Sequence, residues 1–229
     1  MKKTLFIFAA ASALLATSCG SIGGGKVETQ EDSVAYALGV DVGNSLFNNV
    51  DSTLNYELVC KGLIDAFTKN ATMDEKDVQA FLQNYFMVIK PAKAAAENEK
   101  LSSAFLANAA KEEGAQVTES GLIYKIEDAG AEHKIADGDT VELHYTLIDA
   151  SGKVLQSSKD NGRAMKYTCT PTAMIPGFTE GVAMLGEGGK ATLHLPYEIA
   201  YGEKGGGNIG PKQALKFEVE IVRVAEPAK

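Results

Sequence analysis

The sequence predicts an α+β protein: an N-terminal all-helical domain with a long connecting helix, then a curved antiparallel β-sheet wrapped around one short helix. Two observations carry this. Apolar residues recur at helical spacing from Asp32 to about Gly114, and at a period of two beyond Gln116–Glu119. Within the second part, Gly177–Leu185 leaves room for one short helix only.

Taken in order, residues 1–18 read as an export signal. Lys2 and Lys3 form the charged end, Leu5 to Leu15 the apolar run, and Ala16-Thr17-Ser18 the small residues before Cys19. The run is too short for a bilayer core of about 30 Å, which takes roughly 20 apolar residues. A small-residue run ending in cysteine resembles the processing site of bacterial lipoproteins. That resemblance implies that Cys19 is the lipidated first residue of the mature chain; an ordinary secretory signal is the alternative. Several acyl chains on one residue would anchor stably, since each buried CH₂ contributes about 0.8 kcal/mol. Residues 19–30 form a flexible tether, with Gly20 to Lys26 rich in Gly and Ser. The residues after Cys19 carry no acidic retention signal, so the expected location is the cell envelope, at the outer membrane of a Gram-negative bacterium, facing the periplasm.

The 229 residues have room for one large domain or two small ones, and their net charge is −8. Removing Lys2 and Lys3 with the leader takes this to about −10. Such a balance argues against a nucleic-acid partner, which needs a basic face to displace counterions from phosphates. Cys60 and Cys169 lie in different expected domains and are too few for a disulfide framework, so both read as small buried side chains.

Residues 31–116 are the helical part. Tyr56, Val59, Leu63, Ala66 and Phe67 share one helical face, and Val78, Phe81, Leu82, Tyr85 and Ile89 another. Thr72 followed by Glu75 is a capping-box pattern. Pro91 lacks a backbone donor, which predicts a kink or break one turn earlier. Gly114 is the expected C-cap. An unbroken rod from Asp74 to Glu113 would reach about 60 Å. No strands cover these apolar faces, so they must pack on each other or on a second copy.

Residues 117–229 form the sheet part. Leu122, Tyr124 and Ile126 alternate with Ile123 and Lys125; Val141, Leu143, Tyr145 and Leu147 with Glu142, His144 and Thr146. Leu193 and Leu195 flank His194, and Phe217, Val219 and Ile221 alternate with Glu218 and Glu220. These are antiparallel strands with one buried face. Asp137-Gly138-Asp139 and Ala150-Ser151-Gly152 are turns.

The sheet part also carries an ordered set of short motifs. They are His144-Tyr145-Thr146, Ser157-Ser158-Lys159-Asp160, Met174-Ile175-Pro176-Gly177-Phe178, Leu195-Pro196-Tyr197 through Tyr201-Gly202, and Leu215-Lys216-Phe217-Glu218-Val219. Their order and spacing resemble the FKBP-type peptidyl-prolyl cis-trans isomerases. In the helical part, Ala35-Tyr36-Ala37-Leu38-Gly39, Lys61-Gly62-Leu63-Ile64-Asp65-Ala66 and the stretch Phe105 to Tyr124 resemble the Mip-type (macrophage infectivity potentiator) isomerases. The resemblance implies an FKBP-like fold, a helical homodimerisation module, proline-containing or unfolded client proteins, and no cofactor or metal.

It also implies a site. Tyr145, Met165, Met174, Ile175, Phe178, Tyr201 and Phe217 would line an apolar pocket, with Phe178 as its floor where many relatives carry tryptophan. The Ile175 N–H and the Tyr201 hydroxyl would bond substrate carbonyls, and Leu155 and Ile209 would close the rim. Gln156 stands where relatives commonly carry an aspartate; it keeps hydrogen-bonding capacity without charge. Leu155 and Met165 replace aromatics and soften the pocket. Read without the resemblance, all of these residues are ordinary core.

Rotation about a peptide bond crosses about 18–20 kcal/mol, and X-Pro bonds isomerise in tens to hundreds of seconds. The twisted amide is less polar than the planar one, so a dry apolar pocket favours it. Three hypotheses follow: a lipid-anchored dimeric isomerase assisting exported proteins, a weakly catalytic or non-catalytic dimeric chaperone on the same scaffold, and an envelope tether. The Gly205–Gly210 stretch has the spacing of a dinucleotide motif, but Pro211 follows and no helix begins there, so it reads as a flexible hairpin. His133, His144 and His194 show no metal-ligand spacing; on strands, His144 and His194 suit solvent-facing or hydrogen-bonded roles.

Overall fold

The computed structural model describes residues 25–50 and 54–225. The expected leader, the lipidation residue Cys19 and the start of the tether lie outside them. The chain forms two compact units, the first ending at Val78 and the second starting at Gln79.

The first unit holds α1 (Gln30–Asn49) and α2 (Tyr56–Phe67). Thr29 caps α1 in a reciprocal box with Asp32, and Asn55 caps α2 by accepting from the Leu58 N–H. No residue of α2 is buried, and Tyr56, Leu58 and Phe67 are exposed. An apolar groove of about 190 Å³ is lined by Val42, Leu46 and Phe47 of α1 and Val59, Cys60 and Leu63 of α2.

α3 (Glu75–Asn84) starts two residues later than the capping-box pattern suggests. Its cap is Asp74, whose Oδ1 accepts the Asp77 N–H at 2.8 Å. Pro91 does not break the helical run. One π-turn (Tyr85–Ile89) leads directly into α4 (Lys90–Ala109), with the Lys90 N–H bonded to the Tyr85 carbonyl. A π-turn shifts the ladder by one residue, so the carbonyls before Pro91 are not those a regular α-helix would set against its ring. α4 ends at Ala110 rather than Gly114. Tight turns at Lys111 and Glu112 follow, and Gly114, at φ +83°, redirects the chain into the sheet.

The sheet contains β1 (Gln116–Val117), β2 (Ile123–Asp128), β3 (Thr140–Asp149), β4 (Val154–Ser157), β5 (Met165–Thr168), β6 (Lys190–Leu195) and β7 (Leu215–Ala225). Its order is β1-β2-β6-β7-β3-β4, with β5 also on β3, and every pairing is antiparallel. One short helix, α5 (Pro176–Val182), lies on the inner face. Its Phe178 and Val182 are fully buried with Val141, Leu143, Leu193 and Leu215. α5 approaches β6 closely: a methyl group on Gly181 would strike the Leu193 side chain. The expected alternation thus holds on β3 and β7.

It fails at one corner. Ile123 and His194, paired across β2 and β6, face away from the core and are both buried. α4 covers His194; the centroid of the Phe105 ring lies 5.1 Å from that of the His194 ring. His194 is therefore not solvent-facing, and its Nδ1 has no hydrogen-bond partner among the described residues. Cys60 and Cys169 are free thiols; Cys169 is buried and Cys60 half-buried.

Candidate active site

β3 sends Tyr145 and Leu147 to one face, because alternate residues of a strand share a side. Cross-strand register brings Phe217 of β7 and Gln156 of β4 opposite Leu147. β5 brings Met165 opposite Leu143. The turn before α5 supplies Ala173, Met174 and Ile175; Ile175 is extended and Pro176 opens the helix. There the missing proline N–H costs nothing, since the first helical donors have no partners anyway. Tyr201 follows the short 3₁₀ turn Tyr197–Ile199.

These side chains and Phe178 line one open cavity of about 540 Å³, within the range of small-ligand sites. Phe178 forms its base and is fully buried. The Phe178 and Phe217 rings meet edge-on at 5.0 Å, and Tyr145 lies 6.3 Å from Phe217. Edge-to-face contacts of this kind fix ring orientation.

Polar groups on the cavity are few. The Ile175 N–H has no partner among the described residues. Burial, and then the nearby Tyr201, push the Tyr145 hydroxyl above its usual pKa, so it stays a neutral donor. Tyr201 is 39 % exposed at the mouth. Gln156 is exposed on β4. No group here is arranged as a nucleophile with a base.

Ser158, quoted only as part of a motif, has a clear structural task. Its Oγ accepts the Tyr145 N–H at 2.9 Å, and its N–H donates to the Tyr145 carbonyl at 3.0 Å. It pins Tyr145 at a point where β4 leaves β3. Of the candidate residues, Tyr145, Gln156, Met165, Met174, Ile175, Phe178, Tyr201 and Phe217 come together on the cavity. Leu155 and Ile209 do not line it; Leu155 packs against the core, and Ile209 is buried within it. Three lining residues escaped the sequence reading: Leu147, Ala173 and Pro176. Leu147 was recoverable, being two residues beyond Tyr145 on the same strand face.

An aromatic basin with a free backbone donor and hydroxyls at its edge suits an apolar ring flanked by carbonyls. Fold and cavity together define a proline-binding isomerase class. A family described as FKBP-type peptidyl-prolyl cis-trans isomerase matches residues 131–222, and one described as the domain amino terminal to such isomerases matches residues 31–126. The FKBP-type peptidyl-prolyl cis-trans isomerase FkpA of Aeromonas hydrophila is 35 % identical over 89 % of this chain and 80 % of its own length. The outer membrane protein MIP of Legionella longbeachae is 30 % identical over the full length of both. The crystal structure of FkpA from Escherichia coli superposes with a TM-score of 0.70 at 28 % identity, covering 89 % of this chain and all of that one.

The chain belongs to the FKBP-type peptidyl-prolyl cis-trans isomerase family, and to the members that carry the amino-terminal helical domain. It is a prolyl isomerase assisting protein folding.

Proposed function

We propose that catalysis takes place in the cavity based on Phe178. The proline ring of the client lies against Phe178, Phe217 and Tyr145, and Met165 and Met174 close on its sides. The Ile175 N–H and the Tyr201 hydroxyl hold the carbonyls on either side of the rotating bond. Water is displaced from the amide, which costs the planar, polar ground state more than the twisted one. That difference is binding energy realised only in the transition state. Gln156 contacts the substrate by hydrogen bonding without adding charge, and the rim is supported by Leu155 against the core and by Ile209 within it. The free Ile175 donor at the edge of an aromatic basin is the observation that carries this reading.

In this reading residues 31–116 form a homodimerisation module and connecting helix, and residues 117–229 the isomerase domain. The exposed apolar faces of α1 and α2 support a second copy as their cover. Cys19 carries the lipid that holds the dimer at the outer membrane, facing the periplasm, where exported chains fold. Sedimentation of the mature chain and detergent partitioning of a Cys19→Ser variant check these two points.

The direct test is isomerisation of a short X-Pro peptide. Tyr201→Phe is expected to lower kcat/KM by about two- to tenfold, the worth of one hydrogen bond, with thermal stability unchanged because Tyr201 is partly exposed. Phe178→Leu is expected to abolish most of the rate. A wild-type rate no faster than buffer would leave a chaperone on an isomerase scaffold.

A further inference from the structure

We propose that Asn98 and Ser102 of α4 are positioning residues of the isomerase site. They grip the 210–214 segment and, through it, set Tyr201. The proposal rests on the assignment of Tyr201 to the substrate and extends it to a helix that does not touch the cavity.

Asn98 and Ser102 stand four residues apart, so they share one face of α4. Asn98 Nδ2 donates to the Pro211 carbonyl at 2.8 Å. Ser102 Oγ donates to the Lys212 carbonyl at 3.2 Å and accepts the Ala214 N–H at 2.8 Å. Ser102 is 4 % exposed, and Ala214 is fully buried. These bonds reach across more than a hundred residues of sequence, into a segment with no strand partner of its own. Buried backbone groups without a ladder need such partners.

The gripped segment is held in an unusual conformation. Lys212 has φ +51°, a left-handed backbone that costs any residue with a Cβ and persists where its surroundings enforce it. Its carbonyl accepts from Ser102. Its ammonium reaches Glu99 at 3.3 Å and Glu203 at 3.5 Å, and lies 5.7 Å from the Tyr197 ring centroid. A Cβ on Gly210 would lie 2.6 Å from Asn98 Nδ2, so a side chain there would push the Asn98 amide aside.

From this segment the contacts lead to the cavity in one step. The Lys212 N–H donates to the Gly202 carbonyl at 3.2 Å, directly beside Tyr201. The hairpin between them is closed by two bonds joining Gly206 and Ile209. Gly206 also lies against the Tyr201 ring: a Cβ there would sit 3.4 Å from Tyr201 Cδ1. Tyr201 thus lies between an exposed hairpin anchored by the buried Ile209 and a loop that α4 fastens. Spatial continuity alone does not establish coupling, so the test measures coupling.

In the full chain, Asn98→Ala and Ser102→Ala are made alone and together with Tyr201→Phe. Ser103→Ala is the control, since Ser103 Oγ bonds only within its own helix, to the Glu99 carbonyl. Peptide isomerisation gives kcat and KM, and amide exchange reads the Gly206, Ile209 and Lys212 N–H groups against those of β6 and β7. Ser102→Ala is expected to lower kcat/KM about three- to tenfold. Exchange at Lys212, Gly206 and Ile209 rises while β6 and β7 stay protected, and Ser103→Ala changes nothing. In the Tyr201→Phe background most of the Ser102→Ala loss disappears, as for two residues acting through one group. A loss of equal size in both backgrounds overturns the proposal, as does unchanged protection at Lys212. If Tyr201→Phe has no effect by itself, the role given to Tyr201 fails, and the exchange reading decides whether α4 holds the loop.

Discussion

At the residue scale the informative departure is Gln156. It sits exposed on β4 beside the cavity, opposite Leu147 in register. A carboxylate there would hold hydrogen-bond donors of a ligand more strongly, because charge-assisted bonds are roughly twice as strong as neutral ones. Gln156→Asp is therefore expected to raise kcat/KM several-fold, by about 1 kcal/mol of added stabilisation, with thermal stability unchanged at an exposed position. The same reasoning predicts that a cavity ligand carrying hydrogen-bond donors binds the wild type weakly and the variant more tightly. Calorimetric titration checks both, and nanomolar wild-type affinity would remove the argument. His194 is the second residue whose setting has a measurable consequence. Burial pushes its pKa below 6.5 and Lys216 pushes the same way, while Glu112 and Glu218 oppose them. The unfolded chain takes up a proton near pH 6.5 that the folded chain refuses. Stability is thus full above that pH and falls as pH drops through the lower folded value. The melting temperature should fall between pH 7.5 and 5.5, and by less in His194→Leu.

At the element scale, α3 and α4 depend on details finer than hydrophobic spacing. Asp74 satisfies a helix N-terminal donor that has no partner in the helix itself. Asp74→Ala is expected to cost about 0.5–2 kcal/mol of stability and to leave the isomerase rate unchanged. Circular dichroism melts read alongside peptide kinetics separate the two effects. The π-turn at Tyr85–Ile89 explains how Pro91 is accommodated without ending the helix. Its position was not legible, because periodicity gives the face of a helix but not its hydrogen-bond register. β4 and β5 were not read as strands from the sequence. The resemblance pointed to Gln156 and Met165, and pairing with β3 brings both to the cavity.

At the scale of the whole molecule, α4 is part of the sheet unit and not a free spacer. It buries Ser102 and Ala109, and its Phe105 covers His194. A fragment of residues 110–229 keeps every strand but loses this cover. It is expected to be less stable than residues 79–229 by on the order of 4 kcal/mol, the worth of one part-buried aromatic and three hydrogen bonds. Urea unfolding of the two fragments measures this, and equal midpoints would mean that the helix contributes nothing to the sheet. A fragment that starts at residue 118 would therefore confound loss of the dimerisation module with loss of a packing partner.

Strand alternation and the single-helix interval determined the fold class and the change from helix to sheet, and the family resemblance implied eight of the residues found on the cavity. The first two are written in neighbouring residues: a strand face needs only a period of two, and a turn only a few side chains. The tertiary structure alone decided that His194 lies under α4, that Ser158 fastens Tyr145, that Ile209 belongs to the core and that Pro211 and Lys212 are held by Asn98 and Ser102. The covering of the outer face and the grip on Lys212 join residues far apart in the chain, and such a contact leaves no periodic trace in the sequence on either side. It is set by where the sheet's uncovered corner happens to meet a helix, which only packing of the assembled elements fixes.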